Sequence, residues 1–451
     1  MFTMQAGWFY FHWMTAVVAF MVRSRVRPTG AIAFRTPVGI IDTDLRRVQH
    51  RPITSILSTF TNFSPSTSMK ITNITVFPLT SQRPELRVGK PIHPSWWGYD
   101  QTLIRIDTEG DISGWGCTGV RWEMAEATKK VLWPHLIGED ALQPESVTER
   151  LHQWTFWYGR GGAVTSYIGA VNHALWDILG KHTGLSISRL FGGRYVEKVK
   201  PYASMLFSWP VDEMVSSLES GLEKNFRAFK LGWGTFGRER NLKHDEELVR
   251  IARKTIGDDS ELMVDPGGSD VFWHGDFKWA AEAARMLKDY DVSWFEEPLR
   301  ADDIEGYKRL TEISPVRIAT GEVIRGRLNF EPFISQKACD ILQPDQTICG
   351  GLSESRKIWQ AAYDNNVQVV MHGWNTAVGA AADLQLSASM PNGRYLEYWH
   401  PAPYVSGILA EPMLLDEDGM LPIPDGPGLG IEINEEAVIA HGKGADDYGA
   451  L

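Results

Sequence analysis

Cysteine is scarce in this chain: Cys117, Cys339 and Cys349 are the only three in 451 residues. An odd number, widely spread and without a CxxC pair, excludes a disulfide framework and a thiolate zinc site. It marks the thiols as small buried hydrophobes in a reducing, cytoplasmic setting. Positive charge is also short, with 45 Lys and Arg against 56 Asp and Glu and a formal charge of −11. A dedicated nucleic-acid binder would be basic, so that class of partner is excluded. A clean membrane-spanning run is missing as well. Met1 to Val22 carries no charge, but Gln5, His12 and Thr15 interrupt it, no basic residue precedes it, and no small-residue cleavage site stands out. Apolar content, at 43%, is not lacking and excludes intrinsic disorder. The length excludes a single small domain.

Charge is distributed unevenly. Residues 1–68 hold seven Arg, no Lys and two Asp, a net +5, which leaves −16 for the remainder. The reading is that 1–68 is an extension, disordered or a misassigned start, with a targeting segment or an anchor as alternatives. Met69 opens MKITNITVFPL, whose alternation predicts the first strand of a soluble domain.

From there two rhythms follow. Residues 69–197 begin with alternating strands at Ile71–Pro78, Gln101–Thr108 and Ile112–Cys117, and continue with helical spacing at Trp122–Trp133 and Ala170–Thr183, an α+β pattern. Residues 198–400 repeat a short apolar run followed by a helical stretch: VKPYASML, FRAFKLG, ELMVDP, VSWFEEP, RIATGE, DILQPD, VQVVMHG and RYLEYW. Eight such units predict an α/β fold with a (β/α)8-type barrel, whose sites lie at the strand C-termini. Residues 401–451, with the turn-rich IPDGPGLGIEIN, read as a segment that leaves the barrel and packs back on the first domain.

The polar residues ending the runs are Lys230, Asp265, Glu296, Glu322, Asp345, His372 and Glu397, spaced 35, 31, 26, 23, 27 and 25 residues apart. In a barrel they would converge on one face. Asp265, Glu296 and Glu322 form an all-oxygen set suited to Mg2+, a Lewis acid that would stabilise the enediolate formed when a substrate loses its α-proton. Asp345 and His372 would be neighbours, the carboxylate orienting an imidazole that moves protons. Lys230, opposite them, would act as a base if its pKa is lowered, or as a cation holding the substrate carboxylate. Glu397 would bond the substrate, or serve only as a partner for Arg394 or another cation at the rim.

These motifs carry a resemblance. VDPGG, WFEEP, GEVIRGR, ILQPD and MHGWNT, in that order, with ALWDILGK and SRLFGG before them, resemble the enolase superfamily, specifically its mandelate racemase-like subgroup, over Met69 to Ile433. The resemblance implies a modified TIM barrel under an α+β cap completed by the C-terminal segment. It implies Mg2+ on Asp265, Glu296 and Glu322, with Glu297 supporting them, an Asp345/His372 dyad, and Glu397 in the last-strand position. It also points to sugar acids and their lactones as substrates, and to a homo-oligomer.

One departure bears on the reaction. Racemase-like members usually carry Lys-X-Lys on the second barrel strand, and this chain has Lys230-Leu231-Gly232. Glycine cannot transfer a proton, so the two-base arrangement of a racemase is incomplete. A syn β-elimination needs one acid/base only, so the expected reaction is dehydration of an aldonate or aldarate to a 2-keto-3-deoxy acid. The alternatives are a lactone cycloisomerase or epimerase on the same scaffold, and a non-catalytic sugar-acid-binding paralogue. Substrate contacts are expected from His93, Trp96, Trp97 and Tyr99 in the Arg83–Tyr99 loop, from Arg160, and from Trp233 beside the missing lysine.

Overall fold

A computed structural model describes residues 68–79, 101–269 and 275–442. The 1–68 extension, apart from Ser68, therefore lies outside the described residues. So do His93, Trp96, Trp97 and Tyr99.

The chain opens with an antiparallel three-stranded sheet, β1 (Ile71–Leu79), β2 (Gln101–Thr108) and β3 (Ser113–Thr118). Three helices follow: α1 (Trp122–Leu132), α2 (Pro144–Trp154) and the long α3 (Gly162–Thr183), then the single turn α4 (Ile187–Leu190). Helix α3 starts eight residues earlier than its apolar spacing predicts, because Thr165 to Ile178 is buried all round and offers no polar face to mark a period. It lies against β3 at backbone distance. A Cβ on Gly114 or Gly116 would fall 2.1 or 2.0 Å from the carbonyl oxygens of Ala174 and Ala170, so only glycine fits there. Gly184, at φ 71°, ends the helix in the left-handed conformation that glycine adopts without strain.

The barrel strands are β4 (Lys198–Leu206), β5 (Ala228–Gly232), β6 (Glu261–Asp265), β7 (Val292–Glu296), β8 (Arg317–Thr320), β9 (Ile341–Leu342), β10 (Gln368–Val369) and β11 (Tyr395–Trp399). They are the eight apolar runs of the sequence, and all pair in parallel in the order β11-β4-β5-β6-β7-β8-β9-β10. The helices between them are α5 (Asp212–Glu223), α6 (Leu242–Ile256), α7 (Phe277–Asp289), α8 (Ile304–Ile313), α9 (Arg327–Ser335), the turn α10 (Gln346–Cys349), α11 (Leu352–Asp364) and α12 (Ala377–Ala388). At the β10/β11 seam the Gly373 N–H donates to the Glu397 carboxylate at 2.8 Å. One apolar side chain from each strand or its end fills the interior: Tyr202, Ala228, Met263, Trp294, Ala319, Ile341 and Val370, with Tyr395 packed against them. The barrel interior is a packed core and not a pore.

After the turn α13 (Pro403–Ser406), the C-terminal segment pairs β12 (Leu421–Pro422) with β4 and ends in α14 (Glu435–Gly442), where Glu435 meets Arg105 of β2 at 2.6 Å. Asp177 ties three parts together. One carboxylate oxygen accepts from Leu429 N–H at 3.0 Å, and the other accepts from Trp115 N–H at 3.0 Å and from Lys181 at 2.7 Å. Helix α3 also docks on the barrel, with Asn172 and Trp176 donating to Ser353 Oγ at 2.8 and 3.0 Å. Among the described residues no helix is long and apolar enough to cross a membrane.

Candidate active site

Side chains two apart on a strand share a face, so the residue two past each member of the apolar plug also faces the barrel axis. Those positions hold Ser204, Lys230, Asp265, Glu296, Gly321, Gln343, His372 and Glu397. A layer of polar and ionisable groups thus sits directly on an apolar floor. Gly321, at φ 132°, turns the chain so that the following residue, Glu322, supplies the carboxylate from β8. Strands β9 and β10 are only two residues long, so Asp345 and His372 stand on the loops beyond them. Asp345 also caps α10, accepting from Thr347 N–H at 2.7 Å.

Asp265, Glu296 and Glu322 are buried, and one carboxylate oxygen of each lies within 4.8 Å of the others. Each also has a fixed orientation. Asp265 accepts from Gly267 N–H at 2.7 Å. Glu296 accepts from Trp294 Nε1 at 3.0 Å and Gln343 Nε2 at 2.7 Å. Glu322 accepts from Ser269 Oγ at 2.8 Å. Burial, and then the charge of Glu296, push the Asp265 carboxyl well above the usual carboxylate range. Three buried acids crowded at this spacing are stabilised by a cation between them, and an all-oxygen set suits a hard divalent ion such as Mg2+.

Lys230 is saturated. Its Nζ lies 2.6 Å from Glu296, 2.7 Å from Glu397 and 3.6 Å from Asp265. Burial alone would lower its pKa, but Glu296 and Glu397 outweigh that and hold it well above the ordinary lysine value. Of the two roles open to Lys230 from sequence, the metal-free geometry fits that of a cation among carboxylates. The same cation draws Glu397 down to about 2 against the opposing effect of burial. Glu397 is therefore ionised and paired with Lys230, not with Arg394.

His372 Nδ1 lies 2.8 Å from Asp345 Oδ2, and its Nε2 faces Glu322 at 3.3 Å. The other Asp345 oxygen is held by the amide and hydroxyl of Thr347, both at 2.7 Å. Nδ1–H is thus the donor to Asp345, which leaves Nε2 turned toward Glu322. Burial depresses the imidazole, but Glu322, Glu397 and Asp345 together raise its pKa well above the ordinary value.

The chain matches the family described as enolase C-terminal domain-like over residues 213–437, and the mandelate racemase/muconate lactonizing enzyme N-terminal domain over 88–192. It is 34% identical to the D-galactarolactone cycloisomerase of Agrobacterium fabrum over 376 residues, 78% of this chain and 95% of that protein. This chain belongs to the enolase superfamily. Among its relatives is the D-galactonate dehydratase of Pectobacterium atrosepticum, 29% identical over 84% of this chain and 96% of that protein. Among solved structures, the 3,6-anhydro-D-galactonate cycloisomerase of Zobellia galactanivorans superposes with a TM-score of 0.73 at 26% identity, covering 82% of this chain and 99% of that one. Kinship of this depth makes this enolase-superfamily member an enzyme.

Other residues expected at the superfamily site fall variously. Trp233 is beside it: its amide donates to the Asp265 carbonyl at 2.7 Å, and its indole lies over Gly267, where a Cβ would come within 2.5 Å of the ring. Gly232 faces Asp265, with a Cβ there 3.1 Å from Oδ2, so a lysine at 232 would crowd a predicted metal ligand. Arg160 is exposed on the connection between α2 and α3, next to Trp157, which is 84% exposed. Glu297 is buried, with a strained φ of 40°. It accepts from Ser269 N–H at 3.0 Å, and Ser269 Oγ in turn bonds Glu322. Sequence reasoning missed Ser269, Thr347 and Gln343. Gln343 alone had a signal, since it lies two residues before Asp345 and two after Ile341 on one strand face.

Proposed function

We propose that this enzyme dehydrates a sugar acid, an aldonate or aldarate, to a 2-keto-3-deoxy acid. The observation that carries the reading is a single proton-transfer group, His372, facing a triad of carboxylates, with glycine at 232 where a second base would stand. Asp265, Glu296 and Glu322 would hold Mg2+, which would supply positive charge against the substrate carboxylate and so acidify its α-hydrogen. Lys230 adds a fixed cation on the same side. His372 Nε2 removes the α-proton while Asp345 holds the ring and balances the imidazolium charge. His372 then returns that proton to the β-hydroxyl, the C–O bond breaks, water departs, and the resulting enol tautomerises to the 2-keto acid. Glu322 is the first of the charges that raise the His372 pKa in the metal-free site, and a bound Mg2+ would offset that charge and let Nε2 act first as base and then as acid.

A second reading, lactone cycloisomerisation, is favoured by one observation: the relative at 34% identity is named a cycloisomerase. Incubating the protein and Mg2+ with a panel of aldonates, aldarates and their lactones, with 2-keto acid detection, separates the two. Keto acid accumulation is expected. Lactone conversion without keto acid would establish the second reading in its place. A His372→Asn variant should lose both turnover and exchange of the substrate α-hydrogen with deuterated water, and retained exchange would show that another group is the base.

A further inference from the structure

The loop that follows β8, GEVIRGR, carries two arginines with unlike surroundings. Arg327 forms an ion pair with Glu354 and so is accounted for within the protein. Arg325 has no carboxylate within 4.0 Å among the described residues. Its Nη1 donates to the Val323 carbonyl of its own turn at 3.0 Å, and its Nε is buried with no partner among the described residues. The turn that presents it is held firmly: Ile324 N–H bonds the Gly321 carbonyl at 3.2 Å, Gly326 N–H bonds the Cys349 carbonyl at 2.9 Å, and Asn329 Nδ2 bonds the Arg325 carbonyl at 2.6 Å. The backbone that carries Arg325 is thus fixed three residues after Glu322, and its guanidinium is close enough to feel the Asp345 charge. A half-buried guanidinium with an orphaned donor is costly unless something supplies an acceptor, and a site lined by acids would pair it internally if its only task were structural.

The cations of the site are divided in space. Lys230, on β5, is occupied by Asp265, Glu296 and Glu397. Arg325 follows β8, three strands further round the ring. An extended acid whose first carboxylate lies at a cation held by Asp265, Glu296 and Glu322 would carry its far end away from them. The planar fork of a guanidinium matches a second carboxylate there.

We infer that Arg325 is a specificity-determining residue that binds a second, distal carboxylate, so that the substrate is a dicarboxylate sugar acid, an aldarate, in preference to the aldonate of the same configuration. The inference rests on the sugar-acid reading above and narrows it. Turnover is measured for matched pairs, galactarate with galactonate and glucarate with gluconate, using the full chain, its Arg325→Met and Arg325→Lys variants, and excess Mg2+. Wild type favours the aldarate of the pair it accepts. In Arg325→Met the aldarate-to-aldonate ratio of kcat/KM falls on the order of 100-fold, chiefly through KM, as loss of a charge-assisted hydrogen bond implies. Arg325→Lys recovers part of it. A wild-type preference for the aldonate, or an equal loss on both acids in Arg325→Met, overturns the inference. A second measurement separates this from failure of the reaction itself. Calorimetric binding of adipate against hexanoate, neither of which can be dehydrated, should favour the diacid in wild type and lose that preference in Arg325→Met. With no turnover of any acid, retained diacid preference keeps the second-carboxylate site and sinks the dehydration. Absence of that preference overturns the site.

Discussion

At the scale of the residue, function here depends on how each charge is shared. Lys230 could be a base or a cation from sequence, and in the metal-free fold it is paired with Glu296 and Glu397, which hold its pKa up. Lys230→Met is therefore expected to do more than lower turnover. It leaves buried carboxylates unpaired, and on the order of 3–5 kcal/mol of stability in the metal-free protein should go with it, read by denaturant unfolding. Ser269→Ala tests the support beneath Glu322. Loss of the hydroxyl bonded to that carboxylate should weaken Mg2+ affinity by about 10-fold or more by calorimetry, and unchanged affinity would show the bond to be incidental. Gly232→Lys would not convert the enzyme into a two-base racemase. Its Cβ crowds Asp265, so the expected result is weaker Mg2+ binding without racemisation of an α-deuterated substrate.

At the scale of the element, the cap and the barrel are coupled through α3. Its buried face rests on β3 at glycines 114 and 116, its middle bonds Ser353 of α11, and Asp177 on it holds the returning C-terminal segment. Gly116→Val forces a side chain into the carbonyl of Ala170 and should cost about 3 kcal/mol or more in unfolding free energy. A thermal midpoint within a degree of wild type would refute the packing. The strand pattern was legible in the sequence because a barrel strand repeats its inward face every second residue, and the apolar floor and polar layer follow that register. The start of α3 was not legible, since a helix buried on all sides has no polar stripe. The short β9 and β10 were also misjudged, because Asp345 and His372 lie beyond the ladder, on loops whose geometry is set by caps and backbone bonds and not by periodicity.

At the scale of the whole molecule, the acidic balance of the chain has a consequence that pH reveals. Burial, together with neighbouring carboxylates, raises the pKa of Asp265, Glu297, Glu322 and Asp383 above the ordinary values. Without metal the folded protein then keeps protons that the unfolded chain has already released above about pH 4, so stability falls as pH rises. His372, also raised, adds to the same slope above about pH 6.5, because its contribution is complete below the unfolded value and is lost toward the folded one. Glu397, held at about 2, acts in the opposite sense, but only below about pH 4.5. The buried His173 and His400, lowered to about 4, act in the opposite sense below about pH 6.5, so the thermal midpoint in EDTA should decline from about pH 6.5 to pH 8. Mg2+ should reduce that slope and add roughly 2.7 kcal/mol at 100 times its dissociation constant. A midpoint independent of pH in EDTA would contradict the proton inventory.

The sequence by itself determined the alternation of short apolar runs with helices, and therefore the barrel, the face on which its ionisable residues gather, and the type of ion they suit. All of these follow from local periodicity and from the chemistry of single side chains. Only the tertiary structure decided which charges meet. It paired Lys230 with Glu296 and Glu397, turned Nε2 of His372 toward Glu322 by binding Nδ1 to Asp345, slipped Ser269 beneath Glu322, and gave Arg327 an acid while leaving Arg325 without one among the described residues. Those outcomes depend on distances of a few ångströms between residues up to 167 positions apart in the chain, as Lys230 and Glu397 are, and electrostatic interaction falls off too steeply with distance and burial to be read from order alone.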